Sequence, residues 1–431
     1  MEDHLTEIVM HLALQLAVIL VVAKVGAEVC ERYLKIPAVL GELVAGIIIG
    51  PYALGSLSLP GLGPLFPLPE AVEGIVSIPV STELYSIAQV ASVILLFSVG
   101  LETNIQQFLR FAGPGVLVAV GGVLAPFFLG AWFTVLFGFA DHLGDPRAMF
   151  MGVMLTATSV GITARVLSDI GRLGTPDGVT ILAAAVVDDV LGILTLTVVV
   201  GISAAGTISV GQVLGVSLKA VGFWVGLTGG GLLLAPFIAR FVGWFRVAGA
   251  GLALALGLAF LAAAMAEQMG LAMIIGAYSV GLALSGTNLA HHLEESLRGV
   301  YHAFVPVFFV VMGMLVDVSS MTGTLVFGTV ITLAAMVTKV VGAGLPALGT
   351  GFNIKGAVRI GVGMMPRGEV ALIVAGIGLT RGIVDSEMFG VAVLMTVVTT
   401  LLTPPILVPL FSHGGPGRRE RAKEVASEQK V

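Results

Sequence analysis

The chain has 431 residues, of which 57% are hydrophobic and only 11% are charged, whereas about 25% of the residues in an average soluble protein are charged. This composition excludes an ordinary soluble domain and indicates a protein that crosses the bilayer many times. The single cysteine, Cys30, excludes an internal disulfide and a cysteine-based metal site, and the net charge of −5 says little about partners.

Thirteen membrane-spanning helices are predicted from apolar stretches of about 20 residues that end at charged residues or Gly/Pro clusters. In chain order, spans 1 to 13 cover residues 8–30, 37–55, 84–102, 114–137, 147–168, 177–203, 211–239, 248–266, 270–287, 301–318, 324–348, 355–380 and 387–411. The first run follows an acidic N-terminus and lacks a cleavage site, so we expect a retained helix rather than a signal peptide. The predicted fold class is an all-α polytopic membrane protein, with a transmembrane domain at 1–411 and a short tail at 412–431.

The basic residues divide unequally between the two faces that these spans create. Three lie on one face and fifteen on the other, namely Arg32, Lys35, Arg110, Arg165, Arg172, Arg240, Arg246, Arg298, Lys355, Arg359 and five in the tail. By the positive-inside rule we expect the N-terminus outside and the C-terminus in the cytoplasm. The other three basic residues, Lys24, Lys339 and Arg367, fall at membrane depth.

Two of the spans are poor continuous helices. Span 5 contains "LTATSVGIT", which places the hydroxyls of Thr156, Thr158 and Ser159 in mid-membrane, and span 12 contains "GVGMMPRGE". Proline and glycine weaken a helix, and hydroxyls can satisfy the backbone groups that a break exposes. The numbers of the two interrupted spans differ by seven, an odd number, so these spans cross the membrane in opposite directions. Spans 1–6 and 8–13 would therefore form inverted repeats with paired interruptions, a pattern typical of transporter binding sites. The alternative is two kinks needed only for packing.

Span 6 carries two adjacent carboxylates, Asp188 and Asp189, in "AAAVVDDVLGI", with no basic residue within ten positions. An aspartate at the centre of a membrane helix costs about 2.5–3.5 kcal/mol on insertion scales. Helix neighbours point about 100° apart, so one carboxylate can face a partner helix while the other faces a cavity. Lys339 is the expected partner for one of them.

The remaining carboxylate could bind a proton and a hard monovalent cation in turn. Hydroxyl and backbone oxygens at the break in span 5 would complete an all-oxygen shell for Na⁺ or Li⁺. The alternative is a buried salt-bridged triad that only fixes helix packing.

Six motifs, "AAAVVDDVLGI", "TATSVGITARVL", "PAVLGELVAGIIIGP", "LLFSVGLE", "PVFFVVMGM" and "MPRGEVALI", resemble the monovalent cation:proton antiporters of the NapA, GerN and Kef branch. The likeness covers residues 8 to about 411. It implies an antiporter fold of the NhaA and NapA type, with two crossed broken helices, in a homodimer that works by elevator-like alternating access. It also implies mobile core helices at about 114–203 and 324–411, dimer scaffold helices at about 8–102 and 248–318, and a linker helix at about 211–239.

The same resemblance implies roles for individual residues. Asp189 would be the main ion and proton carboxylate, and Asp188, the second expected Na⁺ ligand, would pair with Lys339. Thr156, Thr158 and Ser159 would lie at the crossing of the broken helices, and Arg367 and Glu369 would be core charges near the break in span 12. Members with the double aspartate and this lysine are typically electrogenic sodium/proton exchangers. We expect this chain to lie in a prokaryotic inner (plasma) membrane.

Other functions stay open at this point. A Kef-type K⁺/H⁺ antiporter usually has an amide before the aspartate and a nucleotide-binding domain. The 20 or so residues after span 13 are too short for such a domain, and no GxGxxG motif opens a βαβ unit in this sequence. A Na⁺-coupled organic-solute symporter would need a roomy cavity. A passive channel leaves the lysine counter-charge unexplained, and an intramembrane aspartyl protease needs aspartates on two helices.

We therefore expect a secondary transporter rather than an enzyme, with no cofactor and no nucleic-acid partner. Its partners would be the bilayer, monovalent cations, protons and a second copy of the chain.

Overall fold

The computed structural model describes residues 2–59, 63–68, 79–205, 210–317, 325–412 and 415–419. Nearly all of this part of the chain is helical. Its helices are α1 (Glu2–Glu28), α2 (Ala38–Ile49), α3 (Thr82–Glu102), α4 (Ile105–Leu136), α5 (Pro146–Thr156), α6 (Val160–Asp169), α7 (Pro176–Ala205), α8 (Val210–Gly243), α9 (Ala250–Gln268), α10 (Met273–Ser285), α11 (Ala290–Met314), α12 (Leu325–Gly349), α13 (Ile354–Gly363), α14 (Glu369–Thr380) and α15 (Ser386–Ser412). A π-helical turn (Val29–Leu34) continues α1. A 3-10 turn (Leu54–Ser56) precedes two short antiparallel strands, β1 (Ser58–Leu59) and β2 (Gly63–Pro64).

The predicted fold class is confirmed. Within the described residues, eleven helical segments are long and apolar enough to cross a membrane, and Met273–Ser285 and Val370–Leu379 are shorter apolar helices. Together these segments correspond to the thirteen spans that the hydropathy pattern predicts. Spans 5 and 12 are each built from two helices, α5 with α6 and α13 with α14.

Two helices extend well beyond their predicted spans. Helix α4 begins at Ile105 instead of residue 114, because the Asn104 side chain caps it by accepting a hydrogen bond from the Gln107 amide at 3.0 Å. Helix α11 begins at Ala290 instead of residue 301, and its added turns are polar. Hydropathy marks the stretch that lipid can cover, so it misses helical turns that continue outside the membrane.

The helices pack in two groups. Helices α4, α5, α7, α12, α13, α14 and α15 pack mainly on one another, and we refer to them with α6 as the core group. Helices α1, α2, α3, α9, α10 and α11 form the scaffold group, and α8 packs against α7, α9 and α10. Helix α6 lies at the boundary, because it contacts α2 and α3 of the scaffold group as well as α7 and α15.

Glycines set the closest helix crossings inside each group. Gly100 of α3 lies against Gly281 of α10, and Gly121 of α4 lies against Gly342 of α12. A Cβ atom at any of the four would run into the backbone of the facing helix. Close backbone approach of this kind maximises van der Waals contact between helices in a bilayer, where no hydrophobic effect drives them together.

Candidate functional site

The helical path is interrupted twice in the core group. Helix α5 ends at Thr156 and α6 begins at Val160, and the residues between them are not helical, with Ser159 at φ −88° and ψ 104°. The second interruption separates the end of α13 at Gly363 from the start of α14 at Glu369. Each break exposes backbone donors and acceptors that need other partners.

The two interruptions cross and satisfy each other. The Ser159 amide donates to the Pro366 carbonyl at 2.8 Å, and the Thr158 hydroxyl donates to the Met364 carbonyl at 3.3 Å. Gly368 lies so close to Ser159 that an added Cβ atom would be 2.7 Å from the Ser159 Oγ. A side chain at position 368 would therefore force Ser159 to shift.

Arg367 joins the C-terminal ends of the two interrupted helices. Its side chain is fully buried and donates to the Leu155 carbonyl at 2.7 Å and to the Met365 carbonyl at 3.0 Å. These carbonyls lie at the ends of α5 and α13, where the helix dipole is negative, so a buried guanidinium is electrostatically favoured there. Thr399 and Thr400 of α15 hydrogen-bond the backbone amide and carbonyl of Arg367.

Asp188 and Lys339 form a buried ion pair inside the core group. The Lys339 Nζ donates to the Asp188 Oδ1 at 2.7 Å and to the Thr156 carbonyl at 2.7 Å. The two residues are 1% and 0% exposed. One ammonium on α12 therefore links α7 to the end of α5.

Asp189 lies in different surroundings from its neighbour. It is 7% exposed and lines a very small cavity with Leu96 of α3, Val160 of α6 and Tyr278 of α10. This cavity lies where the core group meets the scaffold group. The two adjacent carboxylates thus face the interior of the core group and its boundary, respectively.

A second small cavity, about 30 Å³, reaches the crossing itself. Ser159, Arg367 and Gly368 line it from the core group, and Gly313 and Leu43 line it from the scaffold group. Ligand pockets for drug-sized molecules usually measure about 300–1,000 Å³. Both cavities at the boundary are therefore sized for water or a single ion.

The structure thus brings six of the predicted site residues into two adjoining clusters, with Asp189 beside them. Thr156, Asp188 and Lys339 form one cluster, and Thr158, Ser159 and Arg367 form the other. Glu369 is the first residue of α14, and its side chain lies outside the described residues.

Sequence reasoning missed two groups of contributors. Thr399 and Thr400 support the backbone of Arg367, and only the run of hydroxyl residues in "TVVTT" could have pointed to them. The carbonyls that Arg367 binds leave no sequence signal at all.

A further charged cluster at the boundary was also missed. Arg165, counted above among the fifteen basic residues of one face, lies within α6 and is 5% exposed. Its Nε donates to the Asp169 Oδ2 at 3.0 Å, and its guanidinium lies 5.1 Å from the centroid of the Tyr301 ring in α11. The Ser168 hydroxyl donates to the Glu102 Oε2 at 3.0 Å, which adds a contact from α6 to α3.

Within the described residues, many apolar helices long enough to span a bilayer, two crossing interruptions and buried charges at the crossing are the features of a polytopic helical transporter. The family described as "Sodium/hydrogen exchanger, transmembrane" matches residues 17–413, and the chain belongs to that family. This confirms the resemblance drawn from the six motifs and the expected class of secondary transporter.

Individual relatives agree with the family assignment. The chain is 37% identical to the high-affinity Na⁺/H⁺ antiporter NhaS3 of a Synechocystis strain, over 95% of this chain and 91% of NhaS3. It is also 37% identical to the probable Na⁺/H⁺ antiporter GerT of Bacillus cereus, over 92% and 98% of the two chains. The Na⁺/H⁺-K⁺ antiporter GerN of the same organism is 34% identical over 92% and 95%.

A solved structure shares the fold. The sodium proton antiporter MjNhaP1 of Methanocaldococcus jannaschii at pH 8 superimposes with a TM-score of 0.67, over 94% of this chain and 97% of MjNhaP1. The sequences are 18% identical, so this likeness bears on the fold alone.

Proposed function

We propose that this protein exchanges Na⁺ or Li⁺ for H⁺ across the membrane, and that Asp189 carries the ion and the proton in turn. The observation that carries the proposal is the contrast between the two adjacent carboxylates. Asp188 is held by Lys339, whereas Asp189 lies at the boundary between the core and scaffold groups. The family match and the names of three relatives support the same activity.

The second carboxylate and its lysine have a distinct role in this proposal. The Asp188–Lys339 pair fixes α7 against α12 and α5, and so positions Asp189 for exchange. Oxygen ligands suit a hard alkali cation. The hydroxyls of Thr158 and Ser159, at the break beside α7, are the further ligands that we assign, and the expected exchange is electrogenic.

Burial of Asp189 favours an alternating mechanism. A carboxylate that is 7% exposed can reach water on either side only if the surrounding helices move. We propose that the core group slides as a unit against the scaffold group, which would hold the homodimer. The face that carries the fifteen basic residues would be cytoplasmic, in a bacterial inner membrane.

Cavity size favours a small cation over an organic solute. The cavity at the crossing measures about 30 Å³, far below the roughly 300 Å³ of a typical pocket for a small organic ligand. The name of GerN includes K⁺, so the exchange assay has to compare Na⁺, Li⁺ and K⁺. Exchange with K⁺ alone would favour the Kef-type alternative.

The test is cation-driven collapse of an imposed pH gradient in proteoliposomes. We expect Asp189→Asn to reduce exchange to the level of empty vesicles while the melting temperature stays near that of the wild type. Asp141→Asn is the matched control, because it removes the same charge from an exposed residue between α4 and α5. Normal exchange by a folded Asp189→Asn variant would refute the assignment.

A further inference from the structure

The chain after α15 turns back onto the basic face of the protein. The Asn353 amide donates to the Gly417 carbonyl at 2.9 Å, and the Asn353 side chain donates to the Pro416 carbonyl at 2.8 Å. The Arg419 amide donates to the Gly351 carbonyl at 3.0 Å. Residues 415–419 of the predicted short tail are therefore fixed across the loop between α12 and α13.

This docked segment closes one side of a polar cavity of about 310 Å³. Arg172 and Thr175, just before α7, line the cavity together with Arg359 of α13 and Arg418 of the segment. A neighbouring cavity of about 660 Å³ shares Arg418 and adds Lys355 and Arg419. The two cavities together concentrate five basic side chains at one point of the membrane surface.

Among the described residues, Asp177 is the one acidic residue that lines either cavity, and its charge is already paired. Asp177 accepts a hydrogen bond from the Arg359 guanidinium at 2.9 Å, and both residues are buried. Basic side chains therefore outnumber acidic ones among the described residues that line the cavities. The N-terminus of the 30-residue helix α7, which begins at Pro176, adds its dipole with the same sign.

Arg418 is positioned as a ligand-binding side chain. Its guanidinium lies 5.3 Å from the centroid of the Phe111 ring, and packing against an aromatic ring restricts the orientation of the planar guanidinium group. Its Nε is buried and has no hydrogen-bond partner within the described part of the chain. A buried guanidinium nitrogen without an acceptor is costly, and an anionic oxygen would satisfy it.

We propose that this basic cavity, lined by Arg172 and Arg418 beside the Arg359–Asp177 ion pair, binds a phosphate group. Arginine forks match the geometry of phosphate oxygens, and the site lies at the end of a transmembrane bundle on its basic face. The phosphate belongs to an anionic lipid headgroup or to a soluble phosphate compound. Its binding would hold the C-terminal segment against α7 and α13.

The full-length protein, purified in detergent, provides the test. Thermal unfolding is measured while Tris phosphate replaces Tris chloride at constant ionic strength, and native mass spectrometry compares retention of phosphatidylglycerol with that of phosphatidylcholine. We expect the wild type to be stabilised by phosphate or to retain phosphatidylglycerol preferentially. Phosphate stabilisation alone would identify a soluble ligand, and preferential lipid retention alone would identify a headgroup.

Variants distinguish binding at this site from a general attraction of anions to the basic surface. The double variant Arg172→Gln/Arg418→Gln should weaken the apparent affinity for the effective probe about tenfold or more, the equivalent of one charge-assisted hydrogen bond. Arg418→Lys, which keeps the charge and loses the fork, should lie between the double variant and the wild type. Arg246→Gln, at an exposed arginine between α8 and α9, should bind like the wild type. An unaltered response in the double variant, or a wild type that responds to neither probe, would overturn the proposal.

Discussion

Lys339 neutralises a carboxylate that has no other counter-charge nearby in sequence. Its ammonium binds both Asp188 and the Thr156 carbonyl, and all of these groups are buried. Lys339→Met should destabilise the protein by about 3–5 kcal/mol, because it leaves a buried charge uncompensated. Thermal unfolding in detergent measures the effect, and Lys219→Met, at an exposed lysine of α8, is the control.

A second variant distinguishes a lost ion pair from a lost packing group. In Asp188→Asn/Lys339→Met neither charge remains, so most of the lost stability should return. If Lys339→Met alone unfolded at the wild-type temperature, the ion pair would have no structural role.

At the scale of single residues, the sequence shows which buried charged residues need a partner, but it does not always show which group that partner is. Two adjacent aspartates in lipid require a counter-charge, and only three basic residues fall at membrane depth, which makes Lys339 a reasonable candidate. Arg367 could not be placed in the same way, because its acceptors are the carbonyls of Leu155 and Met365. Every residue has a carbonyl, so such a partner has no signature in the sequence.

At the scale of elements, the crossing of the two interruptions depends on the absence of a side chain at Gly368. Gly368→Ala would place a methyl group against Ser159, and overpacking of this kind costs about 1–3 kcal/mol. We expect a lower melting temperature and slower exchange in proteoliposomes. Gly299→Ala is the matched control, because a Cβ atom there meets nothing within 4 Å and alanine favours a helix.

Relief of the contact tests the cause of this effect. Ser159→Gly removes the facing side chain, so Gly368→Ala should destabilise the Ser159→Gly protein much less than the wild type. Additive losses in the double variant would mean that the two positions do not press on each other.

Elements differ in how far their sequences define them. The hydroxyl run in span 5 and the Gly/Pro cluster in span 12 predict both interruptions, because each cluster weakens a helix locally. The first turns of α4 and α11 were missed because caps and polar turns carry no hydropathy signal. Hydropathy therefore locates the membrane-covered part of a helix and leaves its ends undefined.

At the scale of the whole molecule, the hydropathy pattern predicts the number of spans but not which helix surfaces pack against each other. The polar contacts of α6 with the scaffold group include those of Arg165 and Ser168, which hydropathy assigns only to the end of a span. The predicted inverted repeat and homodimer stay predictions. The packing adds a defined boundary between the core group and the scaffold group. A transporter whose core group slides requires that the helices on the two sides of this boundary can move relative to each other.

Crosslinking across the boundary tests this requirement. In a Cys30→Ala background, Ser168→Cys and Glu102→Cys place thiols where a hydroxyl and a carboxylate now lie 3.0 Å apart, on α6 and α3. A short bifunctional methanethiosulfonate should join them and stop Na⁺/H⁺ exchange in proteoliposomes, and dithiothreitol should restore it. The physical reason is that a covalent link prevents α6 from moving relative to α3.

The matched control joins α10 of the scaffold group to α8, which belongs to neither group, so it does not link the scaffold group to a core helix. Thr228 of α8 and Ser279 of α10 have hydroxyls 3.2 Å apart, so Thr228→Cys/Ser279→Cys should crosslink under the same conditions. Because α8 and α10 need not move apart when the core group slides, that crosslinked protein should continue to exchange ions. Full exchange with α6 and α3 covalently joined would contradict a sliding core, and equal inhibition by both crosslinks would mean that the loss reflects rigidity in general.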